Sequence, residues 1–113
     1  MTASEVLETF AAAIDARDWD RLDSLLAENF HSRFVHDGRT LDRAGFVRFN
    51  RDYPGSWSFA LEDAVADGDR AVGRARVTDG SEEYFVASFI TLDQAGLIAE
   101  LTEVWTDGTP VDH

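Results

Sequence analysis

Side chains able to carry chemistry are few in this 113-residue chain. There is no cysteine, which removes thiolate nucleophiles, thiolate metal sites and disulfides together. All ten basic residues are arginine, so no lysine is present to form a Schiff base. No serine stands in a Gly-x-Ser-x-Gly elbow. Carboxylates and a few histidines are left. The most informative carboxylate is Glu103, in a run where period-two alternation places Leu101, Glu103 and Trp105 on one face of a strand. A carboxyl between Leu and Trp can serve as a general base or acid if its surroundings disfavour the charged form. The structural alternative is a carboxylate paired with an arginine, for which Arg48, Arg51, Arg74 and Arg76 are candidates.

The histidines offer a possible proton relay. His31 and His36 have opposite parity on a regular strand, and His36 shares the parity of Phe34. His36 could therefore face the same side as the carboxyl and pass a proton. Its neighbours Asp37-Gly38 also mark a strand end, where a solvent-exposed histidine is common. His31, His36 and Asp37 do not have the spacing of a helical His pair or a zinc knuckle. Asp67-Gly68-Asp69 lacks the other ligands of a calcium loop and reads as a hairpin turn. No metal or other cofactor is expected.

These groups must be positioned by a short series of elements. Thr2 followed by Glu5 is a capping-box pattern ahead of Val6, Leu7, Phe10, Ala13 and Ile14, which recur at helical spacing. Asp18 caps a second, shorter helix with Trp19, Leu22, Leu25 and Leu26 on one stripe. Phe30 to Asp37 suits a strand ending at Asp37-Gly38. Asp42 caps a third helix, with Leu41 and Phe46 as a hydrophobic staple and Pro54-Gly55 as its end. From Trp57 onward, Asp67-Gly68, Asp79-Gly80 and Asp93 to Gly96 are hairpin signals. Tyr84 to Leu92 is apolar at both parities and is expected to be buried on both sides, and Leu97 to Thr106 alternates. Helices followed by a strand meander predict a single α+β domain over residues 1–113. Apolar residues remaining for the outer face of the sheet predict a homodimer through that face.

Bulk composition restricts the partners. A net charge of −12 opposes binding to nucleic acid or to an anionic membrane, both of which need a cationic surface. Glu5 and Glu8 stand where a secretory signal would carry positive charge. No run approaches the ~20 apolar residues needed to span a bilayer. The expectation is a soluble, cytoplasmic protein.

Four strings, in order, resemble the nuclear-transport-factor-2-like superfamily and its SnoaL-like members. They are Phe10 to Trp19 with Leu25 to Phe30, then Asp37 to Arg43, then Gly96 to Trp105. The resemblance implies a cone-shaped curved antiparallel sheet with three helices of the N-terminal half on its concave face, enclosing a largely apolar pocket. It also implies a test against the ketosteroid isomerases, which use a tyrosine, an aspartate base and a protonated aspartate. The corresponding positions fall on Phe10, Phe34 and Ser88, or Ala87 with a one-residue slip. None of these can do that work, so chemistry of the ketosteroid isomerase type is not expected. The SnoaL-like cyclases carry a carboxylate in the last strand, and the corresponding residue is Glu103.

By this resemblance the face bearing Glu103 looks into the pocket, where burial would raise its pKa toward the range of a general base. The expected catalytic residues are Glu103 and His36, and the expected ligand contacts are Phe10, Phe34, Ser88, Leu101 and Trp105. The expected partner is a small hydrophobic molecule, bound or transformed by cofactor-independent proton transfer. A dimeric binding or interaction scaffold without catalysis is the alternative, because proton-transfer sites usually pair a base with an oriented donor.

Overall fold

Each helix begins at a side chain that accepts a hydrogen bond from its first turn. The computed structural model describes residues 1–107, Asp107 by its backbone alone. Helix α1 (Ala3–Ala16) opens with the expected capping box: Glu5 N–H donates to Thr2 Oγ1 (3.2 Å) and Thr2 N–H to Glu5 Oε1 (2.9 Å). It closes on Arg17, left-handed at φ 57°, whose N–H reaches the carbonyls of Ala13 and Ile14. Asp18 then accepts from Arg21 N–H (3.1 Å) to start α2 (Trp19–Leu25). The third helix, α3 (Arg43–Asp52), starts from Asp42, which accepts from Gly45 N–H (2.8 Å). Leu41 packs on the cluster that buries Phe46, as a staple requires.

The first strand differs from its expected span. Strand β1 is Leu26–Phe34, so α2 passes directly into it with Leu26 already extended (φ −99°, ψ 137°). Leu25, Leu26 and Ala27 are all buried, and that continuous run hides both the helix stripe and the strand alternation. The strand ends at Phe34, and Val35 to Asp37 form a turn. Strand β2 (Thr40–Asp42) then returns antiparallel to β1, with Ser32 opposite Leu41.

The remaining strands are β3 (Ser58–Asp67), β4 (Arg70–Thr78), β5 (Glu83–Leu92) and β6 (Ile98–Asp107). The sheet order is β2-β1-β6-β5-β4-β3. Neighbours are antiparallel except β1 and β6, which run parallel, so the sheet is mixed and not wholly antiparallel. Register irregularities between Leu26 and His31 in β1 and between Leu61 and Asp63 in β3 give these two strands extra bend. The result is an α+β fold, a curved, unclosed sheet with helices on its concave face.

The core lies between α1, α3 and that face. Phe10 stacks on Phe46 (centroids 6.0 Å apart), and Phe30 meets Phe46 edge-on at 5.4 Å. Helix α1 comes so near β4 that a Cβ at Gly73 would lie 2.6 Å from Leu7 Cδ2 and 2.8 Å from Leu61 Cδ1.

Strand β5 is buried on one side only. Val86, Ser88, Ile90 and Leu92 face the core, whereas Phe89 on the opposite side is 39% exposed. Nothing among the described residues covers that outer face, so the expected burial on both sides is not met within one chain. No helix among the described residues is long and apolar enough to cross a membrane.

Candidate active site

Glu103 stands in β6, which is hydrogen-bonded on both edges. Phe34 of β1 is its partner on one side and Ser88 of β5 on the other. Val35 N–H donates to the Glu103 carbonyl (3.0 Å) and fixes the backbone at the end of β1. Alternation turns the Glu103 side chain to the concave face, where it is only 3% exposed.

The ion pair offered as an alternative is absent, and parity explains why. Ser88 pairs with Gly73 on β4, and both share the inner face with Glu103. Arg74 and Arg76 are exposed at the alternate positions, where they pair with Glu62 (3.5 Å) and Glu83. Arg51 is bound to Asp52 (3.0 Å), and Arg48 is exposed. Among the described residues no cation pairs with Glu103.

Its two oxygens each meet one neutral donor at long range. Trp105 Nε1 lies 3.4 Å from Oε1 and Ser88 Oγ lies 3.5 Å from Oε2. Burial pushes the Glu103 carboxyl up to about 7, and the hydrogen bonds from Trp105 and Ser88 lower it only in part. Such a group is close to half ionised at neutral pH, so it can take a proton in one step and return it in the next.

This carboxyl forms part of the wall of a cavity of about 530 Å³, a volume suited to a small organic molecule. Of the expected residues, Glu103, His36, Phe34 and Trp105 line it. Phe10, Leu101 and Ser88 do not. Phe10 and Leu101 are core residues with essentially no exposed surface, and Ser88 reaches the site only through the Glu103 carboxyl. His36 is half-exposed at the mouth, its ring stacked on Phe34 (6.0 Å) and its Nε2 3.6 Å from Asp37 Oδ2. The structure therefore ties His36 to Asp37 and leaves Glu103 with Ser88 and Trp105.

Several lining residues other than Phe34 were not foreseen. Phe34, Phe49, Tyr53, Trp57 and Tyr84 form a continuous row of ring contacts at 5.4, 5.6, 6.4 and 5.6 Å. Arg39 places its guanidinium 5.8 Å from the Phe34 centroid and 5.4 Å from that of Phe49. Asn50 donates to the Phe46 carbonyl (2.9 Å) and also borders the cavity. The i, i+4 spacing of Phe49 and Tyr53 is the one signal in the sequence that could have found this wall.

The pattern of the SnoaL-like domain family matches residues 7–101 of this chain. The chain belongs to the SnoaL-like family. No curated protein sequence matches it. Solved structures similar to this SnoaL-like chain include a ketosteroid isomerase candidate from Kribbella flavida DSM 17836, 24% identical, with TM-score 0.90 over 98% of this chain and 82% of that one. Another is an LEH-like epoxide hydrolase from M. tuberculosis, 17% identical, with TM-score 0.77 over 92% of this chain and 82% of that one. A third is IdmH from Streptomyces antibioticus, a polyketide cyclase candidate, 16% identical, with TM-score 0.77 over 96% and 93%. At these identities the likeness is one of fold.

Proposed function

We propose that this SnoaL-like protein binds a small hydrophobic, ring-bearing molecule and moves a proton on it, with Glu103 as the base and then the acid. The observation that carries the proposal is a carboxyl buried in a cavity wall with no cation beside it, where its pKa rises to about 7. A structural carboxylate has no evident reason to stand there, because a buried charge without a partner destabilises the fold. A group that must exchange a proton with a bound molecule does. The row from Phe34 to Tyr84 supplies flat apolar surface for rings, and the proposal invokes no cofactor. The isomerase, cyclase and epoxide hydrolase descriptions of the similar structures support a small-molecule chemistry of this kind. Ketosteroid isomerisation of the usual type is not proposed, since Phe10, Phe34 and Ser88 cannot supply its groups.

A second reading, a dimeric ligand-binding or interaction scaffold without turnover, is favoured by one observation. Among the described residues the Glu103 carboxyl is hydrogen-bonded by Ser88 and Trp105 alone, so no strong acid stands opposite it. Both readings share a cytoplasmic homodimer joined through the outer sheet face, where Phe89 (39% exposed) and Val104 (42%) are open.

The test is a thermal-shift screen of the native protein and Glu103→Gln against small aromatic, polyketide-like and terpenoid compounds. A ligand at a hundredfold excess over its Kd adds roughly 2.7 kcal/mol, which such a screen detects. Turnover of a hit by the native protein and its loss in Glu103→Gln would support proton transfer. Binding without turnover would favour the scaffold.

A further inference from the structure

The lining of the cavity carries, besides Glu103, a polar cluster at the turn after β1. Arg39 there is oriented in three ways. Its backbone N–H donates to Asp37 Oδ1 (2.9 Å), its guanidinium Nη2 lies 3.3 Å from Asp37 Oδ2, and its guanidinium carbon lies over the rings of Phe34 and Phe49. It remains half-exposed and borders the cavity. A guanidinium has five N–H donors in a fixed fork, and Asp37 is the carboxylate that engages this one. Arg17 borders the same cavity, with long bonds to the carbonyls of Gly55 (3.4 Å) and Trp57 (3.3 Å).

This distribution runs against that of the chain. The sequence has 22 acidic residues against 10 basic ones, yet two arginines border the cavity with Asp37 as its exposed acid. The other acid, Glu103, is buried and would repel a second negative charge placed beside it. An anionic group is therefore best held away from Glu103, and the Arg39 fork, oriented by Asp37 and the rings, is the better ordered of the two arginines. A molecule held there would point its uncharged end toward Glu103. Asp37 already offsets part of the Arg39 charge, which suits a singly charged carboxylate better than a dianionic phosphate.

We propose that the cavity selects a ring-bearing carboxylate, with its rings among Phe34, Phe49 and Trp105 and its carboxylate on Arg39. The proposal rests on the small-ligand reading above and names its substrate class. In this arrangement Arg39 determines specificity and orientation, and Glu103 faces the part of the molecule farthest from the charge.

Calorimetric titration of the full chain with naphthoate, naphthamide and naphthylmethylammonium tests it, using the native protein, Arg39→Gln and Arg39→Lys. The expected result is that naphthoate binds the native protein about tenfold or more tightly than naphthamide. Arg39→Gln should remove that preference, and Arg39→Lys should retain part of it. Equal binding of naphthoate and naphthamide, a preference that survives Arg39→Gln, or tightest binding of the ammonium compound would each overturn the inference and leave the small-ligand reading standing. Binding of none of the three would overturn both.

Discussion

Glu103 and Ser88 face one another across the β5–β6 ladder, and the Ser88 hydroxyl lies 3.5 Å from Glu103 Oε2. A hydroxyl is unlike a cation in this position. It can donate to the carboxylate or accept from the carboxylic acid, so it tolerates both states of the group. An arginine there would have locked the carboxyl in its charged form. The pair keeps the acid buried and able to change its protonation.

The first prediction concerns stability and pH. The Glu103 pKa is raised from its ordinary 4.5 to about 7, so between these values the folded state holds more protons than the unfolded state. Its contribution is therefore fully present below about pH 4.5 and is lost as pH rises through about 7. The loss is roughly 3 kcal/mol at 1.36 kcal/mol per unit. Glu103→Gln cannot titrate. Denaturant unfolding from pH 4 to pH 8 should show the variant gaining on the native protein by about that amount, and a constant difference would refute the shift.

Ser88→Ala and Trp105→Phe each remove a donor that favours the charged carboxyl. Both should raise the Glu103 pKa further, by at most about one unit because the bonds are long. Carboxyl titration by NMR reads this directly. A fall in either variant would mean that these groups do not act on the charge.

Core and cavity aromatics should separate by phenotype. Phe10 is wholly buried against Phe46, so Phe10→Ala should cost about 3–5 kcal/mol in denaturant unfolding. Tyr53 is 51% exposed at the cavity, so Tyr53→Ala should cost under about 1 kcal/mol and weaken ligand binding instead. Calorimetry with a screening hit completes the comparison.

Gly73→Ala places a methyl group against Leu7 and Leu61, closer than any relaxed contact. The expected loss is about 1–3 kcal/mol, since the leucine ends must shift within a packed core. An unchanged unfolding midpoint would show that α1 can move away from β4 at little cost.

Much of this architecture is legible in local chemistry. Thr2 with Glu5, Asp18 and Asp42 cap the helices as their spacing implies. Parity alone turns Glu103 to the inner face with Leu101, both buried there. What fails is whatever depends on distant pairing. The parallel register of β1 with β6 joins segments about seventy residues apart in the chain, and no local pattern encodes it. Phe10 has the periodicity of a core residue and a resemblance to a cavity position. Phe46, brought over it by α3, decides for the core. Arg39 belongs to the loop between β1 and β2, where no period exists to say which way a side chain turns.

The place of β6 in the sheet has a consequence for how the site comes into being. Helices α2 and α3 with β1 and β2 form one group, and α1 with the β3–β4–β5 meander forms another. Strand β6, last of the described strands, lies between β1 and β5 and joins the two groups. The acid is thus carried on the keystone of the assembly. Without that strand the sheet is interrupted and the cavity lacks the part of its wall made by Glu103 and Trp105.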